Sequence, residues 1–251
     1  MTATVRFLNA DFDRLSPKQA VKTILERLFN REGGRIYYAN AHTMVTAASD
    51  KQLEDALDKT DMLLADGSGV RWGSALLGTP LTYNLNGTDL VPALCKAGAK
   101  DGLSLYLLGA NPGVAAEAAA NLQQDHPGIV ITGTRNGYFA DDQIDDVLAE
   151  IREANPHILL VAMGVPRQEV WIDKHADKLP NITCMGVGGL FDFLSKRAVR
   201  APLFMRKIGF EWLWRMSMEP RRLWKRYVIG NLVFTRLVVR NAFGAKSSPS
   251  G

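Results

Sequence analysis

The sequence predicts an α/β fold, a parallel sheet with helices on both faces, followed by a basic, tryptophan-rich helical tail. Three observations carry this. Short apolar runs alternate with longer helix-patterned segments, the grammar of strand, crossover helix and strand. The runs are apolar on both faces, as strands covered on both sides must be. The charge is also divided. From Lys196 onward thirteen Lys/Arg stand against two acids, a surplus of +11. The first 195 residues hold seventeen basic and twenty-four acidic residues, a balance of −7. Such a split points to two jobs in one chain.

In chain order, the predicted strands are Arg35–Asn40, Met62–Asp66, Leu103–Gly109, Ile129–Thr132, Ile158–Gly164 and Ile182–Gly188. Each is short, and several end in Gly, Asn or Asp. Helical periodicity fills Ser16–Phe29, Pro112–Gln124, Asp142–Glu153 and Gln168–His175. Residues 1–195 are expected to form the core, 196–245 a helical appendage and 246–251 a disordered end. No internal repeat is present.

The 251 residues are 47% hydrophobic, enough to bury a full core and to exclude global disorder. Cys95 and Cys184 are too few for a disulfide framework and sit in apolar sequence, so reduced, buried thiols in a cytoplasmic protein are expected. The N-terminus has no basic region followed by an apolar block, hence no signal peptide is expected. No uncharged apolar stretch approaches the ~20 residues of a membrane-spanning helix. The best candidate, Tyr227 to Val239, is interrupted by Gly230, Asn231 and Arg236.

Ligands of open α/β sheets bind beyond the carboxyl ends of the strands, so candidate residues are sought there. Asp66, Gly67, Ser68 and Gly69 follow one strand. A carboxylate at that point can take a proton from a substrate hydroxyl, and the glycines let a ligand approach the backbone. The same four residues also read as a turn with an Asp capping the next helix. A nicotinamide dehydrogenase would need G-x-G-x-x-G after the first strand, but that strand ends Asn40-Ala41-His42-Thr43. Gly109, Asn111 and Gly113 join a strand to a helix whose free N–H groups suit a phosphate, or form a tight turn opened by Pro112. Gly164 and Gln168 end another strand. Gln168 both donates and accepts hydrogen bonds and suits a sugar hydroxyl or a base edge, while Glu169 suits the start of a helix. Asn86 and Asp89, in Asn84–Asp89, fit sugar binding or an ordinary turn. Asp11-Phe12-Asp13 is a literal D-x-D, but it precedes every predicted strand end and reads as surface structure. Asp141, Asp142, Asp145 and Asp146 read as the acidic first turn of a helix. The four histidines and two cysteines lack zinc-like spacing, so no protein-bound catalytic metal is expected. His42 reads as structural.

The tail places Trp212, Trp214 and Trp224 among Arg215, Arg221, Arg222, Lys225 and Arg226. Tryptophan with arginine on an amphipathic helix suits a headgroup boundary with anionic lipid. A self-association interface and nucleic-acid binding are the alternatives. The apolar run to Val239 and the acidic core favour the membrane.

Taken together, these segments resemble the WecG/TagA/CpsF family of bacterial glycosyltransferases. The matching order is Asn40, Ala65-Asp66-Gly67, Asn86-Gly87-Thr88-Asp89-Leu90, Leu108-Gly109 with Pro112-Gly113, Gly164 to Glu169, Gly186 to Asp192, and Glu211-Trp212 with Glu219-Pro220-Arg221. The resemblance covers nearly the whole chain. It implies a Rossmann-like core with an appendage that associates with the membrane and helps complete the site. It implies an inverting transferase with a UDP-sugar donor and a polyprenyl-diphosphate-linked sugar as acceptor, and Asp66 as base. Many members carry arginine three residues before the glycine of the N/T-G-x-D-L segment. Here that position is Asn84.

The expected mechanism is a single displacement. Asp66 deprotonates the acceptor hydroxyl. Backbone N–H groups of Gly109 to Gly113, and arginines from Arg206, Arg215, Arg221 or Arg222, meet the charge on departing UDP. Asn40, Asn86, Asp89 and Gln168 orient the sugars. Trp212, Trp214 or Trp224 faces lipid, which would hold the enzyme on the inner face of the cytoplasmic membrane. A non-enzymatic sugar-nucleotide-binding scaffold is the rival reading.

Overall fold

The structure is a computed structural model, and it describes residues 3–244. A hairpin of β1 (Thr4–Phe7) and β2 (Ala10–Asp13) comes first. Then follow α1 (Pro17–Phe29), β3 (Gly34–Ala39), α2 (Ala41–Ala47), α3 (Lys51–Asp58), β4 (Met62–Ala65), α4 (Gly67–Leu76) and α5 (Gly87–Gly98). Next are β5 (Ser104–Gly109), α6 (Val114–Asp125), β6 (Val130–Arg135), α7 (Ile144–Ala154), β7 (Ile158–Ala162), α8 (Arg167–His175), β8 (Thr183–Gly186) and α9 (Leu190–Leu194). The tail adds α10 (Leu203–Lys207), α11 (Glu211–Met218), α12 (Pro220–Trp224), a π-helical turn (Lys225–Ile229) and α13 (Gly230–Gly244).

All six predicted strands form one parallel sheet in the order β4-β3-β8-β7-β5-β6. Every residue of β4, β5, β7 and β8 is buried, which is why these strands read as unbroken apolar runs. One face packs on α2, α3, α7 and α8. The other packs on α1, α5, α6 and α9. The local signals are ordinary ones. Ser16 caps α1 in a capping box with Gln19, Pro17 opens the helix, and Ala20, Ile24 and Leu28 turn inward one helical turn apart. The step from β3 to β4 moves toward one edge, and the connection from β4 to β5 crosses back. A crevice opens at the carboxyl ends beside such a reversal.

One finding departs from expectation. The hairpin was not read from the sequence, and the surface reading of Asp11-Phe12-Asp13 holds only for Asp11, which pairs with Arg6 at 2.9 Å. Asp13 is buried, and its carboxylate accepts a hydrogen bond from the N–H of Leu63 at 2.9 Å. Strand β4 is a sheet edge, so its outward N–H needs a partner, and Asp13 supplies one. The tail packs against this core. Phe234 and Val238 are buried in the same cluster as Phe7, Phe12 and Val70, and the rings of Phe7 and Phe234 lie 6.2 Å apart. Among the described residues, no helix is long and apolar enough to cross a membrane. The end at 246–251 lies outside the described residues.

Candidate active site

Asp66 follows β4 and stands at the cap position of α4, yet it makes no side-chain cap bond to that helix. Its carboxylate is left to face the crevice. Asn40, at the end of the neighbouring β3, fixes it: the Asn40 amide donates to Asp66 Oδ2 at 3.2 Å. The carbonyl of the same Asn40 accepts from the N–H groups of His42 and Thr43 and so caps α2. One side chain thereby ties two strand ends together. Gly67 lies at φ +86°, and a Cβ there would meet nothing; its N–H donates to Asn84 Oδ1 at 2.7 Å. This left-handed step lets the chain turn beneath an open cavity.

That cavity, about 400 Å³, is lined by the ends of β3 and β4, by α4 and by the tail. From the core come Asn40, His42, Asp66, Gly67, Asn84 and Trp72. From the tail come Arg206, Glu211, Trp212, Arg215, Tyr227, Asn231 and Phe234. The two parts join where Ser68 Oγ donates to the carbonyl of Gly209 at 3.0 Å. Arg206 and Arg215 thus bring cations to the cavity that Asn84 also lines.

The other expected residues are distributed as follows. Asn86 caps α5 and bonds Asp89 at 2.8 Å. Asp89 in turn takes Arg200 at 2.8 Å and lies 3.6 Å from Arg206. Burial pushes the Asp89 carboxyl up, but the bonds from Arg200 and Asn86 and the charge of Arg206 outweigh it and hold it below the usual aspartate range. Asp89, held by Asn86, therefore ties Arg200 and Arg206 of the tail to the core, and neither Asn86 nor Asp89 lines the cavity. Gln168 is 3% exposed. Its carbonyl accepts from the N–H groups of Gly164 and Gly188, and its amide donates to Glu169. It clamps the loops after β7 and β8. Gly109, Asn111 and Gly113 sit at the end of β5, outside the cavity lining. Gly109 is pressed on the neighbouring strand, where a Cβ would come within 2.3 Å of the Ala162 carbonyl. Arg221 is exposed and outside the lining. The side chain of Arg222 lies outside the described residues.

The expected lipid-facing tryptophans also divide. Trp212 lines the cavity with its ring 5.8 Å from Tyr227. The Trp214 indole N–H donates to the carbonyl of Val199. Trp224 is the exposed one of the three. Sequence reasoning assigned no role to Tyr227, Asn231 and Thr235, which line the cavity. Their spacing of four was the available signal, since it puts one polar stripe on a helix. Among the described residues, no group of three or more His, Cys, Asp or Glu is placed to hold a metal ion.

The Glycosyl transferase WecG/TagA/CpsF family matches the chain over residues 5–248. An N-acetylglucosaminyldiphosphoundecaprenol N-acetyl-beta-D-mannosaminyltransferase from Bacillus spizizenii is 33% identical over 199 residues, 79% of this chain and 76% of the relative. A protein of the same name from Staphylococcus aureus is 30% identical over 233 residues, 92% of this chain and 89% of the relative. With an acid and its partner amide at the strand ends, and a match along nearly its whole length, the chain belongs to the WecG/TagA/CpsF family and is a glycosyltransferase.

Proposed function

We propose that the chain moves a sugar, with inversion, from a UDP-sugar to a sugar carried on polyprenyl diphosphate. The observation that carries this reading is Asp66, held by Asn40 in a cavity that Arg206 and Arg215 of the tail also line. The Asp66 carboxylate takes the proton of the acceptor hydroxyl. That oxygen bonds to the anomeric carbon as the bond from that carbon to the diphosphate oxygen breaks. The electron pair leaves with UDP, whose charge the two arginines meet. Direct attack inverts the anomeric centre. The names of the relatives make an N-acetylmannosamine donor and an N-acetylglucosaminyl-diphosphate lipid acceptor the first pair to try.

The tail also supports residence on a membrane surface. Leu203, Phe204, Ile208, Trp224, Val228 and Leu232 are exposed among basic residues, a composition that suits the boundary of an anionic bilayer. Residues 1–195 act as the core and 196–245 as the appendage that brings substrate and core together, on the inner face of the cytoplasmic membrane.

Released UDP, measured for a panel of UDP-sugars with the lipid-linked acceptor, tests the donor and acceptor assignment. In the same assay Asp66→Asn lowers turnover about 100- to 10,000-fold with an unchanged melting temperature. Near-normal turnover in that variant overturns Asp66 as the base.

A further inference from the structure

The cavity contains a second carboxyl, and the tail supplies it. Glu211 opens α11 and lines the cavity together with Asp66. Its position follows from a close backbone contact. Gly209 lies at φ +83°, and a Cβ there would meet Ser68 Cβ at 2.8 Å; the Ser68 hydroxyl bonds the Gly209 carbonyl. Asp66 lies two residues before this joint and Glu211 two residues after it, so the joint holds both acids to one cavity. Arg215, one helical turn beyond Glu211, lines the same cavity.

Burial pushes the Glu211 carboxyl above the usual glutamate range. The charges of Asp66 and Asp89 push the same way, and those of Arg200 and Arg215 oppose them. These four neighbours act on it through their charges. An acid that served only to favour the start of α11 would need neither the cavity nor this company.

We propose that Glu211 is a substrate-binding carboxyl of the reacting centre, accepting a hydrogen bond from a hydroxyl of the acceptor pyranose next to the one that reacts at Asp66. The proposal rests on the reading of Asp66 as base. It gives the tail a share in recognising the sugar as well as the diphosphate.

The test uses the full chain and a water-soluble acceptor, N-acetylglucosaminyl diphosphate on a short alkyl chain, with acceptor analogues each lacking one hydroxyl. Glu211→Ala raises the KM for the intact acceptor about tenfold to a hundredfold. Glu211→Gln, which keeps a carbonyl acceptor, loses less. One deoxy analogue is penalised by the native enzyme and not further by Glu211→Ala, a non-additivity that a purely structural role would not produce. An unchanged acceptor KM in Glu211→Ala, or full additivity for every analogue, overturns the proposal. Asp66→Asn is measured alongside. If it is inactive while the Glu211 variants behave as native, the base reading stands and this inference falls. If it is active while Glu211→Gln is inactive, Glu211 is the base, and both assignments fall.

Discussion

The sheet core and the C-terminal tail form one cavity but are stabilised in opposite ways. In the core, β5 is buried along its whole length, and apolar side chains close both faces of the sheet. From Leu203 on, only Leu223, Phe234 and Val238 among the described hydrophobic side chains are buried, while Leu203, Phe204 and Leu232 are each more than 60% exposed. Apolar burial near 25 cal/mol per Å² therefore fixes the shape of the core by itself. The tail is held by a few anchors: Phe234 on Phe7, Ser68 on Gly209, and Asp89 between Arg200 and Arg206. The difference teaches that the tail's position is cheap to change and that its remaining apolar surface suits another phase.

That contrast can be tested from each side. In the core, Glu169 is fully buried, and burial raises its carboxyl to about 7 from 4.5. The folded state keeps a proton that the unfolded chain releases above its lower value. Stability is therefore full below about pH 4.5 and falls as pH rises to about 7, by on the order of 3 kcal/mol. Glu169→Gln keeps an oxygen for the Gln168 amide and removes this fall. Denaturation midpoints at about pH 5 and about pH 8 measure it, and an equal pH slope in both proteins would break the burial account. On the tail, Trp224→Ala weakens binding to vesicles of phosphatidylcholine and phosphatidylglycerol by about tenfold and leaves the melting temperature in place. Unchanged vesicle binding would show that this apolar surface is covered by protein instead.

The same contrast explains what was legible in the sequence. The six strands of the sheet were readable because burial on both faces writes an unbroken apolar run. The hairpin was not, because Ala10–Asp13 alternates charge with a single large apolar residue, Phe12, and its partner strand is equally short. Strand order was hidden too, since continuous apolar runs carry no mark of their neighbours. Asp66 and Asn40, singled out by the rule that ligands meet strand ends, line the cavity. Gly109, Asn111 and Gly113 obey the same rule but lie outside the cavity, which the tail helps to line where it packs on α2 and α4, and docking is not local information. Asn231 looked like an interruption in an apolar segment, and Tyr227 and Thr235 carried no mark of a site. They are the polar stripe of a helix whose Phe234 and Val238 are its anchors.

The central claim is that tail and core make one active site, and Phe234→Asp tests it most directly. It places a carboxylate against Phe7 and Gly73 and leaves every strand of the sheet intact. Turnover is measured with the water-soluble acceptor, so that membrane anchoring cannot matter, and the melt of the sheet is followed in parallel. The predicted result is a folded core whose turnover falls about a hundredfold, since displaced groups on one wall spoil the alignment of the reacting atoms. Full turnover on the soluble acceptor, with loss only on membrane-embedded acceptor, would contradict the claim and leave the tail as an anchor alone.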